Sequence, residues 1–248
     1  MTETLVIFRR AMRLSLRNPA WVIIGLSQPI LYLVLFGPLL EPLTAQLGTG
    51  NAYRLFVPGI LVQLGIFGSM FVGFALIAEY RAGVIESQRV TPASRSALLL
   101  GRVLRDVVVL LTQAVLLTLV AWPLGLRAPF GGVLLGIAVV GLLGAAFSAA
   151  SYAVALTLKS EDALAPLLNA VAMPVLLLSG ILLPMSLAPG WLQTLSDVNP
   201  LKHIVDGVRA FFGGDFSTGT AWSGLGLTAG LVVLGMWFGT RTFRRESA

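Results

Sequence analysis

Charged residues cut this chain into long apolar blocks. No Lys, Arg, Asp or Glu occurs within residues 18–40, 55–78, 107–126, 128–158, 163–196 or 216–240. Each block supplies the roughly 20 residues that a helix, rising ~1.5 Å per residue, needs to cross ~30 Å of hydrocarbon. A helix in a water-soluble core keeps a polar face and seldom runs so far without a charge; none of the six blocks has such a face. The pattern predicts an all-α integral membrane protein with six transmembrane helices, at about 20–40, 55–78, 107–126, 131–158, 163–184 and 220–240. A mean hydropathy of +0.89 with 11% charged residues agrees with that class.

The links hold the remaining pattern. Leu5, Phe8, Met12 and Leu16 recur near helical spacing beside Arg9, Arg13 and Arg17, so residues 1–19 are expected as an amphipathic helix on the inner membrane surface, or as a plain basic flank. No cleavable leader pattern is seen in "MTETLVIFRRAMRLSLRNPAW", and the first span is expected to be retained. The links "RAP" and "KSED" are short enough to make hairpins of their flanking spans. Small residues four apart (Gly132 and Gly136, Gly144 and Ser148, Gly226 and Gly230, Gly235 and Gly239) permit close helix packing, first of all within one subunit.

Residues 185–216 predict short outer re-entrant helices. "PGWLQTLS" places Trp191 at interfacial depth. Asn199 suits a cap and Pro200 a first helical position, followed at helical spacing by Leu201, Ile204, Val205, Val208 and Phe211 up to Gly213 and Gly214. Lys202, Asp206 and Arg209 are expected on the opposite side in weak ion pairs.

Orientation follows from the basic residues. All except Arg54, Arg127, Lys202 and Arg209 fall on the side of the termini, so both termini are expected to be cytoplasmic. Orientation and contact with anionic membrane lipid account for the net charge of +6, which gives no support to nucleic-acid binding. An Arg-, Ala-, Gly- and Leu-rich composition points to a GC-rich bacterial source.

Chemistry is sparse. The chain has no Cys, His203 is its only histidine, and no acidic cluster has ligand spacing, so disulfides, thiolate chemistry and a metal site are not expected. The predicted spans contain no His, Lys or Asp, which argues against an intramembrane enzyme and a proton-coupled carrier. Gln28, Gln63, Gln113 and Asn169 are their most polar side chains, with interhelical hydrogen bonds as the plainer use. With Tyr32 and Met173, Gln28, Gln63 and Asn169 are the candidates for a substrate path. No G-x-x-x-x-G-K-[ST] loop is present, so the chain is not expected to be an ATPase; ATP and Mg would be bound by a separate subunit.

Such a subunit would need a rigid docking element. The segment "EYRAGVIESQRVTPASRSALLLGRVLRD" at 79–106 offers one, with a turn at Thr91 and Pro92, a cap at Ser94, and Leu98, Leu99 and Leu100 against the membrane. Glu86, Arg89 and Arg95 are left for a partner surface; the plainer alternative is that these charges only orient the spans.

The stretches "ESQRVTPASRSALLLGRVLRD" and "LSGILLPMSLAPGWLQTLSDVNPLKHIVDGVRA" resemble those of the ABC-2-type permeases, particularly the small bacterial drug and antibiotic exporters of the daunorubicin-resistance type. The resemblance covers almost the whole chain, 1–248 as a single transmembrane domain. It implies that 79–106 contains the coupling helix seated on the ATPase, with Glu86, Arg89, Thr91, Pro92 and Arg95 as contacts, helped by the N-terminal helix. It also implies two permeases, identical or homologous, with two ABC ATPase subunits in a bacterial plasma membrane. Spans one, two and five would border the path, and Trp191, Asn199, Pro200, Asp206 and Arg209 would belong to the outer helices. Departures are "VIESQ" for the more usual Leu-Glu pair and Lys202-His203 where Thr-Tyr is common. The apolar lining suits an amphipathic or lipophilic drug, antibiotic or lipid. A membrane anchor or assembly factor without transport is the alternative.

Because the chain lacks cysteine, single thiols report its topology. Ser217→Cys should react with a membrane-impermeant maleimide on intact cells, and Ser247→Cys only after permeabilisation. Labelling of both from outside would overturn the assignment.

Overall fold

The computed structural model describes residues 2–17, 20–46, 51–84, 94–182 and 184–245, and every regular element among them is helical. Helix α1 (Thr2–Arg17) precedes α2 (Ala20–Gln46), and α3 (Ala52–Met70) with α4 (Gly73–Arg81) forms one broken span. Then come α5 (Arg95–Ala121), α6 (Phe130–Leu158) and α7 (Glu161–Leu178). A 3-10 turn (Met185–Leu187), α8 (Gly190–Asp197), α9 (Pro200–Gly213) and α10 (Gly219–Arg245) complete the order. Six stretches (α2, α3 with α4, α5, α6, α7 and α10) are long and apolar enough to cross a membrane, as the sequence predicted.

Boundaries depart from expectation where a helix runs on through charge. Helix α5 starts at Arg95, at the Ser94 cap that the sequence offered, and runs unbroken into the span expected from about 107: Ser94 Oγ accepts from Ala97 N at 3.4 Å and nothing interrupts the turns that follow. Arg102, Arg105 and Asp106 therefore lie inside a span, which corrects the expectation of spans without an aspartate. The same helix separates Leu98, Leu99 and Leu100: Leu99 is fully buried, next to Gly239 of α10, while Leu100 is exposed. At its far end α5 stops at Ala121, and Gly125 (φ 116°) turns the chain, so the link to α6 is 122–129 and longer than "RAP".

The centre is built on α3 and α6. Nearly every residue of α3 from Ala52 to Ile66 is buried. Its break at Phe71 and Val72 leaves backbone groups that a neighbour satisfies: Ser151 Oγ of α6 donates to Met70 O (2.6 Å) and accepts from Gly73 N (3.0 Å). Glycines allow the remaining approach. A Cβ at Gly132 would stand 2.1 Å from Phe211 O, and one at Gly235 2.4 Å from Ala146 O. Three of the four small-residue pairs thus pack inside the subunit, whereas Gly226 and Gly230 face open space.

The outer spans offer narrow stripes. In α2 the buried residues Leu26, Pro29, Leu33, Gly37, Leu40 and Thr44 recur three and four apart, and in α7 only Leu164, Leu168 and Ala172 are buried. Val22, Ile30 and Tyr32 of α2 and Val175 and Leu176 of α7 are half-buried against the core, and most of the other described side chains of both helices are exposed.

Gly132→Ala and Gly235→Ala should each destabilise the protein by about 1–3 kcal/mol through overpacking. Gly226→Ala should be neutral or raise stability by up to about 1 kcal/mol through helix propensity. Denaturation midpoints in detergent check this, and a Gly132→Ala protein as stable as wild type would contradict the close packing.

Candidate functional site

Charge collects at both ends of the bundle. At the end carrying α1, the first half of α5 presents Arg102, Arg105 and Asp106 to α4 and α6. Glu79 Oε2 of α4 lies 2.6 Å from Arg102 Nη2, and Arg105 Nε lies 3.2 Å from Asp106 Oδ1. Tyr152 Oη of α6 donates to Asp106 Oδ2 at 2.7 Å and accepts from Arg105 Nη2 at 3.4 Å. Arg102 and Asp106 are only 8% and 3% exposed, so these contacts form in a medium of low dielectric. One helical turn separates Arg102 from Asp106, so a single face of α5 holds both neighbours. Nearer the surface, Arg81 and Glu161 (3.5 Å) tie α4 to α7. Next to Tyr152 is Ser151, which holds the α3–α4 break, so two adjacent residues of α6 fix both the joint and the ion network.

At the opposite end two arginines bind backbone. Arg209 Nε donates to Leu55 O (3.1 Å), and its Nη2 donates to Gly180 O (2.7 Å) and Ile181 O (3.3 Å). Arg54 Nε donates to Phe212 O (2.8 Å), and Nη2 reaches Gly213 O. Arg209 was expected on the exposed side of α9; only its contact with Asp206 (3.6 Å) fits that picture. The guanidinium turns inward because α7 ends at Leu178 and the chain beyond it presents carbonyls without helical partners. Lys202 pairs instead with Asp197, and that hydrogen bond holds the Asp197 carboxyl below the usual carboxylate range.

The expected site residues fall into separate groups. Glu86, Arg89, Thr91 and Pro92 lie outside the described residues. Arg95 opens α5, and its buried Nη1 makes no hydrogen bond among the described residues. Gln28, exposed on α2, donates from Nε2 to Oη of the half-buried Tyr32 (3.0 Å), and Asn169 and Met173 stand one turn apart on the exposed side of α7. Gln63 is apart from both, buried in α3 with Oε1 unpaired among the described residues, while Gln113 Nε2 donates to Val22 O (3.1 Å) and joins α5 to α2. Asn199 caps α9 by accepting from Leu201 N (3.0 Å), Pro200 is the first helical residue, and Trp191 is exposed on α8. Sequence reasoning missed the network of Glu79, Arg102, Asp106 and Tyr152. Its signal was the four-residue spacing of Arg102 and Asp106 in a helix already open at Ser94.

A family model described as ABC-2 type transporter matches residues 2–212. A putative transport permease of Cyanophora paradoxa is 28% identical over 85% of this chain and 74% of its own length. The daunorubicin resistance ABC transporter permease protein of Streptomyces coeruleorubidus is 27% identical over 100% of this chain and 88% of its own. A probable doxorubicin resistance ABC transporter permease protein of Mycobacterium tuberculosis is 26% identical over 85% of this chain and 77% of its own.

Asp106→Asn and Tyr152→Phe should each lower stability, by about 1–3 kcal/mol for a lost partner in a buried hydrogen bond. The double variant should lose less than the sum, with a coupling of at least about 0.5 kcal/mol. Strict additivity in thermal or chemical unfolding of the reconstituted protein would show that the two groups do not interact.

Proposed function

This chain belongs to the ABC-2 type transporter family, whose members are membrane subunits of ABC transporters, and on that premise we propose that it is the permease subunit of an ATP-driven exporter. The observation that carries the reading is the family match over 2–212, which takes in five of the six spans, the docking segment and the outer helices. Two permeases and two ABC ATPases form the working complex in a bacterial plasma membrane, with the permease termini in the cytoplasm and ATP and Mg on the ATPases. The cargo is an amphipathic or lipophilic molecule such as a drug, antibiotic or lipid. Relatives named for daunorubicin and doxorubicin resistance support that class.

The ATPase docks on the segment 79–106 through Glu86, Arg89, Thr91, Pro92 and Arg95. Helix α5 begins inside this segment and runs 27 residues without a break, so a push at its start is a rigid displacement of a whole span. The pairs Glu79–Arg102 and Asp106–Tyr152 pass that displacement to α4 and α6. The exposed sides of α2 and α7, with Gln28, Asn169 and Met173 and the half-buried Tyr32 beside them, border the path between two permeases, and Gln63 lies in the layer behind. The outer helices, with Trp191, Asn199, Pro200, Asp206 and Arg209, close its far mouth.

Co-purification with the companion ATPase tests this reading, comparing wild type with Glu86→Ala combined with Arg95→Ala. The expected result is a wild-type complex whose ATP turnover in lipid rises with cargo, and a variant that loses the complex or the permease-dependent turnover. A wild type that recruits no ATPase overturns the exporter reading and leaves a membrane anchor. Equal behaviour of both proteins reduces the two charges to orienting the spans.

A further inference from the structure

The central span is enclosed by its neighbours up to Ile66, and Gly68 is its first exposed residue. Ala52–Arg81 is 30 residues long, so Gly68 lies within one turn of the middle of the span. From there Gly68, Phe71, Ala75 and Ala78 recur three and four apart as one exposed stripe. The stripe opens where the helix breaks. Val72 N, which in an unbroken helix would bond to Gly68 O, turns instead to Ser69 O (3.5 Å), and no donor to Gly68 O is found among the described residues. Gly68 has no side chain to cover that oxygen. On the same side three rings follow one another across the break: the centroids of Phe67 and Phe71 are 6.5 Å apart, and Phe71 and Phe74 stack at 6.2 Å with 14° between their planes. Phe71 is 37% exposed.

We propose that Gly68 O and the ring of Phe71, flanked by Phe67 and Phe74, form a mid-bilayer site for the ammonium group of a lipophilic amine, and that such amines are cargo of this permease. A carbonyl turned to acyl chains finds no partner there, so a molecule that passes must bring one. Irregular backbone at membrane depth is tolerated where it lines a cavity, and carbonyls released by a broken helix are acceptors for cations. The ring has the same preference, because the face of an aromatic ring is its negative side. A primary ammonium can donate one N–H to the carbonyl and rest against the ring, which an anion cannot do and a neutral alcohol does only in part. Glu79, the one acid of this span, is 11 residues further along and paired with Arg102, so no ion pair holds the cation. A site of this kind binds its ligand and also lets it go.

The site depends on the shape of the span. Straightening α3 and α4 would return Val72 N to Gly68 O and withdraw the acceptor, and the break itself is held by Ser151 of α6. Binding and release thus follow the bend of the span. That such amines are cargo rests on the exporter reading above; the binding itself does not, and it is measured without the ATPase.

The test is binding of phenylbutylamine to the full chain in phosphatidylcholine nanodiscs, by titration calorimetry with empty discs as the blank and at a pH where the amine is protonated. Phenylbutanol and the trimethylammonium analogue should each bind more weakly, the first for want of charge and the second for want of an N–H. Phe71→Leu should weaken the amine roughly 3- to 30-fold, while Phe71→Trp should hold it at least as tightly as wild type. Unfolding midpoints equal to wild type show that both variants keep the fold. An alcohol or quaternary analogue that binds as tightly as the amine overturns the proposal, and so does amine binding that Phe71→Leu leaves unchanged. A chain that binds the amine through Phe71 but recruits no ATPase keeps the site and loses its role in export. One that recruits the ATPase and binds no amine keeps the exporter reading and loses the site.

Discussion

A polar group in hydrocarbon must bring its partner with it, because no water waits there to replace one. That constraint places the chemistry of this chain at the two ends of the bundle. At one end Asp106 is held by Arg105 and Tyr152, and Arg102 by Glu79. At the other, Arg54 and Arg209 take up carbonyls that helix ends and turns leave open, and Arg209 also donates to Leu55 O within α3. Between them Ser151 closes the break between α3 and α4, Gln113 joins α5 to α2, Gln63 is buried in α3, and most of the remaining depth is filled by apolar and small side chains.

Burial without a hydrophobic driving force between helices depends on close approach. Lipid tails are as apolar as leucine, so helices associate through packing and interhelical hydrogen bonds. Gly59 meets Ile181 O, Gly132 meets Phe211 O, and Gly235 meets Ala146 O, each too close for any side chain. These contacts seat α9 and α10 on α6 and the chain after α7 on α3, and make that half of the molecule stiff.

The spans were legible because charge is forbidden across most of each one, and the outer helix was legible because Asn199, Pro200 and Gly214 are local signals that do not depend on a partner. The ion network was not, because treating charge as the end of a span cuts α5 at Asp106, while the real helix buries that charge against Tyr152 from a distant part of the chain. Arg209 was misplaced for the same reason. Helical spacing assigns it to a polar face, and only the fold reveals the unpaired carbonyls of 180 and 181 within its reach. On α1 the spacing predicted the helix, while only the fold reveals that Ile7 lies against Gly101 of α5 and that Leu5 and Leu16 remain exposed.

Helix α7 stands apart from this stiffness. Its stripe of three buried residues, the ion pair of Glu161 with Arg81 at one end and the Arg209 contacts just beyond the other hold it mainly near its ends. Pro166 and Pro174 each remove a backbone donor along its length. With three buried residues along its length, α7 has few packed contacts to lose on sliding or tilting before its end anchors strain. Helix α3, enclosed along its length, has no such freedom. The subunit is thus built with a soft side and a hard side, and thermal motion at the bilayer should concentrate in the soft one.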